Sequence, residues 1–462
     1  MKYISVELKK RKSLKDMSPV RLIVTSFLVI IILGTVFLYL PFSSRNMEPI
    51  PLIDAFFTAT SATCVTGLSI FDTFSRWTLF GQIIIILLIQ FGGLGIITFT
   101  TGFTLAFRRK LGLRDIQIAK EYTNGSVIDT PRLMITILVW SLICEGIGTV
   151  LLAVRFIPKY GWFGLWISIF TSISAYCNAG FDIMGFIKPG SSFISYAKDP
   201  LVSITISMLV ILGGLGFIVI SDLYSCVLKK NKNLHPKLTI HSKLVIYMSL
   251  FLLALGTFLF LIFEYNNTLY GMSFLEKLNV SFFQSSVART AGFFTVPLAK
   301  EKGVTKMLTI ILMFIGASPS STGGGIKTTT FIVILSTVFG VLKGNEDATL
   351  LKHRVEKFNV YKSITITVLA LFIISAVTTA MSVMESPKGI EILDIIFEAV
   401  SAFATVGLTT GITPMLSFLS KILIITTMFI GRVGPISLIL ALTLRKERRI
   451  NKVLPSSKIV VG

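Results

Sequence analysis

The amino-acid sequence is organised around eight long apolar stretches separated by short polar connections. The hydrocarbon core of a bilayer is about 30 Å thick, so a helix needs roughly 20 consecutive apolar residues to cross it. All eight stretches are long enough, and we therefore predict eight membrane-spanning helices. They are predicted over residues 20–42, 77–107, 132–157, 201–228, 241–264, 303–342, 358–384 and 417–444.

Four shorter apolar segments lie between the two members of each successive pair of long stretches. Each has about 13–15 residues, which is too short to span a bilayer but long enough for a re-entrant helix. Asp54 and Asp394 stand near the start of two of these segments, where a carboxylate stabilises a helix N-terminus. The four segments are residues 51–63, 163–176, 274–288 and 391–403.

The composition is typical of a membrane protein and excludes an ordinary soluble domain. Hydrophobic residues make up 53% of the chain and charged residues only 15%, against about 25% charged residues in soluble domains. The net charge of +21 is compatible with nucleic acid binding. The basic residues, however, gather in short blocks between apolar segments, which is typical of membrane anchors, and we expect no nucleic-acid partner.

The distribution of lysine and arginine predicts the orientation in the membrane. Of the 44 basic residues, 27 lie in the two tails and three of the connections, while the four opposite connections hold at most two each. Because basic residues favour the cytoplasmic side, we expect cytoplasmic termini and short segments that enter from outside. The basic segments are residues 1–19, 108–120, 228–243, 343–362 and 445–458.

Each short segment ends in a turn that contains glycine, at Gly67, Gly180, Gly292 and Gly407. The successive glycines are 113, 112 and 115 residues apart. A single glycine in a turn carries little information. Four at nearly constant spacing, each between a short apolar segment and a long one, indicate a fourfold internal repeat.

The chemistry of these turns favours a monovalent cation. Irregular backbone at membrane depth must be buried or line water, and backbone carbonyls arranged in a ring can replace the hydration shell of an ion. Glycine permits the backbone dihedrals that such a ring requires. The four turns contain no aspartate or glutamate, so carbonyl groups, rather than a ring of carboxylates, are expected to coordinate the ion.

These turns and spans resemble the Trk/Ktr/HKT superfamily of potassium transporters over nearly the whole chain. The most specific matching pieces are RTAGF at 289–293, FATVGLT at 403–409 and MFIGRVGP at 428–435. The short N-terminal tail and the eight spans are more similar to KtrB-type membrane subunits than to TrkH-type ones. The resemblance implies an all-α polytopic membrane protein with four M1–pore loop–M2 repeats around a central pore.

The resemblance also implies which residues line the ion pathway. In plant relatives, serine at the first filter glycine accompanies a preference for sodium, whereas all four positions are glycine here, which favours potassium. No cofactor is implied other than the transported K⁺, and activation by Na⁺ stays open. The implied filter residues are Val65, Thr66, Gly67, Asn178, Ala179, Gly180, Thr290, Ala291, Gly292, Thr405, Val406 and Gly407.

The sixth long stretch is interrupted by proline and three consecutive glycines, which break a helix. In the family, the matching segment is an intramembrane loop that gates the pore, and the resemblance gives that role to residues 316–327. A passive flexible kink is the alternative. The implied gate residues of this loop are Gly316, Ala317, Ser318, Pro319, Ser320, Ser321, Thr322, Gly323, Gly324, Gly325 and Lys327.

Arg432 interrupts the last apolar stretch, and an ionisable residue inside a membrane is a functional candidate by default. The resemblance implies that Arg432 projects into the pore and forms an electrostatic barrier, so we include it in the gate. The alternative is a structural ion pair with Glu398. Arg289, at the third turn, is expected to brace the backbone by donating to carbonyl groups.

These observations predict four repeats between two cytoplasmic tails. The predicted parts are a tail at 1–19, repeats at 20–107, 132–228, 241–342 and 358–444, and a tail at 445–462.

The function expected from the resemblance is potassium translocation in a bacterial plasma membrane, by channel-like permeation and without enzymatic activity. The implied partners are a second copy of the chain and a cytosolic, nucleotide-binding RCK-type ring similar to KtrA. The alternative is a sodium-coupled secondary cation transporter with alternating access.

Overall fold

The computed structural model describes residues 19–95, 130–228, 238–345 and 347–443. Most of both predicted tails and part of the predicted cytoplasmic connections lie outside these residues, as does the end of the second predicted span, beyond residue 95. The described chain is mostly helical, as expected, apart from one small hairpin. In the hairpin, β1 (Thr349–Leu350) pairs antiparallel with β2 (His353–Arg354).

Four long helices form the outer layer. They are α1 (Pro19–Tyr39), α5 (Thr130–Tyr160), α9 (Ile240–Glu264) and α13 (Lys357–Glu385). Among the described residues, these four are the helices long and apolar enough to cross a membrane unaided. Large apolar side chains such as Val29, Val150, Leu250 and Phe372 are exposed on their outer faces, as expected where lipid is the solvent.

A short helix follows each long one and is mostly buried, apart from residues near its N-terminus. The short helices are α2 (Leu52–Thr63), α6 (Trp162–Tyr176), α10 (Phe274–Val287) and α14 (Ile392–Ala404). Their bounds agree with the predicted short segments to within one residue at either end. The interior-facing residues include many hydroxyl side chains, among them Thr58, Thr60 and Ser61 of α2. The protein is therefore apolar on the outside and comparatively polar within.

The second apolar helix is divided in the second, third and fourth sets, and in the first set the described residues end just after it, at Gly95. The first set has α4 (Leu79–Leu94), preceded by the single turn α3 (Thr73–Arg76). The other sets have α7 (Pro200–Gly214) and α8 (Phe217–Leu228); α11 (Gly303–Ile315) and α12 (Thr328–Leu342); and α15 (Phe418–Val433) and α16 (Pro435–Thr443). Two of these divisions were not expected. Continuous helices over 201–228 and 417–444 were predicted, yet α7 and α8 meet at an angle of 96°, and α15 ends before Gly434.

Glycine backbone conformation explains the divisions. All four of these helices stop at a glycine with positive φ, which other residues rarely adopt. The φ values are 80°, 93°, 63° and 89° for Gly95, Gly216, Gly316 and Gly434. The sequence therefore predicted the break in the third set but not those in the second and fourth sets. Among these three sets, the third has the longest break, which runs over residues 316–327.

The helices close into a ring. Each second helix packs against the short helix of the next set: α4 on α6, α7 on α10, α11 on α14, and α15 on α2. The last of these contacts joins the two ends of the described chain. All four junctions carry a polar side-chain pair, and the sequence did not indicate their partners. The pairs are Gln82–Trp166 at 2.8 Å, Ser207–Ser286 at 3.0 Å, Lys306–Asp394 at 2.7 Å and Lys421–Asp54 at 2.7 Å.

Candidate cation pathway

The four predicted filter turns meet at the centre of the ring. A Cβ atom added at Gly67 would lie 2.4 Å from a backbone oxygen of the second turn, and one at Gly180 would lie 2.3 Å from the nitrogen of Gly292. One at Gly292 would lie 2.9 Å from the carbonyl carbon of Gly407, and one at Gly407 would lie 2.0 Å from a backbone oxygen of the first turn. The four glycines thus contact one another cyclically and leave no room for side chains.

Three of the turns share one backbone conformation. A residue one or two positions after the short helix is left-handed, with φ of 58°, 60° and 50° at Val65, Asn178 and Thr405. The glycine two residues later also has positive φ in these turns, at 94°, 69° and 90°. The third turn differs, because Thr290 has φ of 129° and Gly292 is not in the positive region. The fourfold symmetry of the filter is therefore approximate.

The middle residues of the turns are anchored by their backbone amides. The N–H groups of Thr66, Ala179 and Val406 donate to the carbonyl oxygens of Ser61, Ser174 and Ser401, at 2.8, 2.8 and 2.9 Å. The corresponding amide of Ala291 instead donates to Val287, at 2.8 Å.

A serine lies six residues before the glycine of every turn, and the sequence analysis missed this signal. The hydroxyl oxygens of Ser61 and Ser401 accept hydrogen bonds from the N–H groups of Gly67 and Gly407, at 3.1 and 3.0 Å. A search for serine and glycine at this fixed separation would have found the pattern. The serines are Ser61, Ser174, Ser286 and Ser401.

The remaining side chains of the turns are buried and form one contact across repeats. The amide group of Asn178 lies 2.7 Å from the hydroxyl oxygen of Thr290. Val65, Thr66, Ala179, Ala291 and Val406 are also fully buried. Most side chains of the turns therefore face the surrounding protein. This geometry leaves the backbone oxygens free to face the axis of the helix ring.

Glycines in the second helices receive the C-terminal ends of the short helices. A Cβ atom at Gly92, Gly213 or Gly431 would lie about 2 Å from the carbonyl oxygen of the last or next-to-last short-helix residue in the same set, which only glycine permits. The distances are 1.9, 2.0 and 1.9 Å, to Thr63, Tyr176 and Phe403. These three glycines are therefore sites where the second helices pack closely on the short helices.

Residues 316–327 lie directly beside the filter. A Cβ atom at Gly323 would lie 2.4 Å from the hydroxyl oxygen of Thr290, and one at Gly324 would lie 2.4 Å from that of Thr405. The glycine-rich part of the segment therefore approaches the third and fourth turns to van der Waals distance. Substitution by a larger residue would force the segment away from these turns.

Hydrogen bonds tie the segment to the break between α7 and α8. The N–H groups of Ser318 and Thr322 donate to the carbonyl oxygens of Gly214 and Gly213, at 3.1 and 3.3 Å, and that of Phe217 donates to Ser320 at 2.7 Å. The two interrupted helices thus satisfy each other's free backbone groups, as irregular chain in a membrane protein requires.

Within the segment, polar side chains close local turns. The Lys327 ammonium group donates to the carbonyl oxygen of Gly323, and the Ser321 hydroxyl donates to that of Ser318 at 2.6 Å. The N–H group of Ala317 donates to Gly324 at 3.2 Å. Residues 316–327 therefore form an ordered loop rather than an extended strand.

Arg432 reaches from α15 to two other parts of the ring. Its guanidinium group donates to the carbonyl oxygens of Thr322, in the segment beside the filter, and of Gly92 and Gly93, at the end of α4. The alternative ion pair with Glu398 is wrong, because the Glu398 carboxylate accepts from the Thr413 hydroxyl instead. Arg432 joins three separate chain segments through backbone oxygens.

Arg289 braces the third turn. Its guanidinium group donates to the carbonyl oxygen and to the hydroxyl oxygen of Ser249 in α9, both at 3.2 Å. The expectation that Arg289 donates to backbone carbonyls is confirmed. The side chain points away from the ring of glycines, towards the outer helix of its own set.

Comparisons with known proteins agree with this architecture. The TrkH family of cation transport proteins matches residues 7–452. The potassium/sodium uptake protein NtpJ of Enterococcus hirae is 38% identical, over 98% of this chain and 99% of that protein. The Ktr system potassium uptake protein B of Bacillus subtilis is 36% identical, over 96% of this chain and 97% of its own.

A solved structure has the same fold. The potassium transporter TrkH of Vibrio parahaemolyticus superposes with a TM-score of 0.70, at 18% sequence identity, and the match covers 94% of this chain and 86% of that one. At this identity the likeness concerns the fold alone.

Proposed function

Because this chain belongs to the TrkH family of cation transport proteins, and is thus a membrane transporter and not an enzyme, we propose that it is the potassium-conducting subunit of a bacterial uptake system. The observation that carries the proposal is the cyclic contact of Gly67, Gly180, Gly292 and Gly407 at the centre of the helix ring. Relatives that match nearly the full chain are named as potassium or potassium/sodium uptake proteins, which supports it.

In this proposal, four M1–pore loop–M2 repeats surround one pore, and carbonyl oxygens of the four turns replace the hydration shell of K⁺. The turns supply no carboxylate, which supports coordination by backbone oxygens. The membrane potential drives entry, because it contributes about 2.3 kcal/mol per elementary charge per 100 mV. The basic segments are cytoplasmic, as the positive-inside rule requires.

Residues 316–327 and Arg432 form the gate in this proposal. The support is their position: the segment contacts the third and fourth turns, and Arg432 donates to the segment and to α4. A fixed positive charge beside a cation pathway raises the barrier for K⁺. Displacement of the segment would break the bonds to α7 and to Arg432 together and open the pathway.

The uptake system in this proposal contains further subunits. Two copies of the chain assemble, and a cytosolic RCK-type ring similar to KtrA binds nucleotide and controls the gate. The support is that one full-length relative is named as component B of the Ktr system. Activation by Na⁺ belongs to the same proposal, since another relative is named a potassium/sodium uptake protein.

Potassium uptake in cells and purified protein tests the proposed function. The chain is expressed, with and without an RCK-type partner, in bacteria that lack their own potassium uptake systems, and growth is measured at micromolar external K⁺. We expect the chain to restore growth and the partner to increase uptake. Absence of K⁺ uptake by well-folded protein in both conditions would overturn the proposal.

A sodium-coupled secondary transporter is the second candidate, favoured by the name of the Enterococcus hirae relative. Electrical recording from purified protein in bilayers separates the two. Channel-like permeation predicts unitary currents in K⁺ without Na⁺. Saturating flux with a fixed sodium stoichiometry and no unitary currents would establish the coupled transporter instead.

A further inference from the structure

A buried carboxylate and a half-buried guanidinium lie near the second filter turn without forming a side-chain ion pair in the described part of the chain. One is the carboxylate of Glu145, in the middle of the apolar helix α5, and its residue is only 5% exposed. The other is the guanidinium of Arg432. An isolated charge in such a place is costly, so its retention calls for a compensating charge or a function.

Glu145 is held by the last turns of α4 and by the second short helix. Its two carboxylate oxygens accept from the side-chain amide of Gln90, at 3.0 and 3.2 Å, and its backbone carbonyl accepts from the hydroxyl of Ser172 at 2.7 Å. The amide oxygen of Gln90 lies 3.6 Å from the thiol of Cys177, next to the filter residue Asn178. The carboxylate therefore stands directly behind the second turn.

Arg432 binds the same short piece of α4 from the opposite side. It donates to the carbonyl oxygens of Gly92 and Gly93, the latter at 3.1 Å. A Cβ atom at Gly93 would lie 2.8 Å from the sulfur of Cys177, so Arg432, Cys177 and the Gln90–Glu145 pair are in sequential contact. Residues 90–93 thus connect the two charges through polar groups.

We infer that the negative charge of Glu145 partly compensates the positive charge of Arg432. Glu145 is in this view a positioning residue that sets how strongly the arginine opposes K⁺. The inference rests on the proposed function. In the low-dielectric interior a carboxylate lowers the positive potential that Arg432 produces along the pathway. Gln90 orients the carboxylate, and the backbone dipoles of residues 92–93 transmit the interaction. Neutralising Glu145 leaves the arginine uncompensated and slows permeation.

Three substitutions separate this electrostatic role of Glu145 from a purely structural one. A glutamine at this position can still bond to Gln90, so Glu145→Gln removes the charge and keeps most of the contact. Glu145→Asp keeps the charge and shortens the side chain. Thr149→Val, one turn away in α5, is the matched control. It removes a hydroxyl that donates to the backbone carbonyl of Glu145, at 2.8 Å, and leaves the carboxylate and its bonds to Gln90 in place.

The test is a double-mutant cycle on K⁺ flux in proteoliposomes, with wild type, Glu145→Gln, Arg432→Gln and the double variant. Allosteric coupling commonly amounts to a factor of roughly 5–150, and we expect Glu145→Gln to lower flux about tenfold in the wild-type background. In the Arg432→Gln background the same change is expected to alter flux less than about twofold, because the coupling is lost. Glu145→Asp and Thr149→Val should stay near wild type.

Equal reductions by Glu145→Gln in both backgrounds would overturn the inference, as would a reduction by Glu145→Asp as large as that by Glu145→Gln. Size-exclusion profiles and thermal unfolding of each variant confirm that folded protein is compared. Wild-type protein without K⁺ flux would contradict the proposed function itself, whereas wild-type flux with independent mutational effects would contradict only the role of Glu145.

Discussion

At the residue scale, the filter depends on backbone conformations that few residues can adopt. Gly67 and Gly407 have φ of 94° and 90°, and added Cβ atoms would collide with backbone in neighbouring turns. Ser61 and Ser401 fix these conformations by accepting the glycine N–H groups. Their hydroxyls therefore support the backbone of the proposed filter.

We predict that Ser401→Ala weakens selection of K⁺ over Na⁺. The substitution leaves the buried N–H group of Gly407 without its acceptor, and such a loss costs about 1–3 kcal/mol. The matched control is Ser286→Ala, because the Ser286 hydroxyl donates to Phe283 and contacts Ser207, and does not bond to Gly292. Competition of Na⁺ with K⁺ flux is the measurement. Equal effects of the two substitutions would contradict the prediction.

Glu301, in the connection before α11, gives a prediction about pH. The side chain is 6% exposed, and neither carboxylate oxygen has a hydrogen-bond partner among the described residues. Burial, together with the nearby Glu264 carboxylate, raises the pKa of Glu301 from about 4.5 to about 8. The folded state thus favours the protonated acid, so its contribution to stability is complete below pH 4.5 and is lost as pH rises through 8.

Glu301→Gln should therefore unfold at a higher temperature than wild type at pH 9, by a few degrees, and at nearly the same temperature at pH 4.5. Thermal unfolding in detergent across this pH range checks it. Glu391→Gln, at an exposed position before α14, serves as control. A constant difference between Glu301→Gln and wild type at all pH values would show that ionisation is not the cause.

At the element scale, the four second helices end alike, each at a glycine with positive φ. In the second, third and fourth sets, whose continuation the structure describes, the third has the longest break, residues 316–327. The backbone of that loop forms hydrogen bonds with backbone groups at the break between α7 and α8. Elements from two repeats are thereby coupled at the level of the proposed gate.

Deletion of residues 317–325 should raise K⁺ flux in the absence of a cytosolic partner, because it removes the contacts of Gly323 and Gly324 with the filter and an acceptor of Arg432. Ion flux into proteoliposomes that contain only this chain is the measurement. Unchanged or lower flux in protein with a normal size-exclusion profile would favour a passive kink over a gate.

How far prediction from sequence succeeds depends on the kind of signal. The short helices were predicted to within one residue at either end, because their apolar length and their turns are local features. The breaks at Gly216 and Gly434 were missed, although the glycines at 213, 214 and 216 and the Gly434-Pro435 pair are residues that break helices. The contacts of Arg432 join positions 340 residues apart, and no local pattern identifies carbonyl acceptors at that separation.

At the scale of the whole molecule, the ring is closed by non-covalent contacts between its first and last repeats. The Asp54–Lys421 pair lies in the contact of α2 with α15, and the two residues are 7% and 14% exposed in their side chains. The Lys306–Asp394 pair occupies the corresponding place between the third and fourth repeats. The same type of ion pair therefore stabilises two of the four junctions.

Removing one partner of the closing pair should destabilise the ring more than removing both. Lys421→Met leaves Asp54 buried without its cation, and breaking a buried pair in this way costs about 3–5 kcal/mol. The double variant Lys421→Met with Asp54→Leu should recover a large part of that loss. Thermal unfolding in detergent measures both, with Arg354→Met, in the more exposed pair with Asp347, as control. Additive losses in the double variant would contradict the prediction.

The separation of Asp54 from Lys421 also has a consequence for biosynthesis. The two residues are 367 positions apart, and ribosomes add about 5–20 residues per second, so Asp54 exists for roughly 20–70 s before its partner is synthesised. During that interval the first re-entrant helix has no completed ring to enter. The first re-entrant helix is therefore the part of the nascent chain that the membrane-insertion machinery must protect for longest.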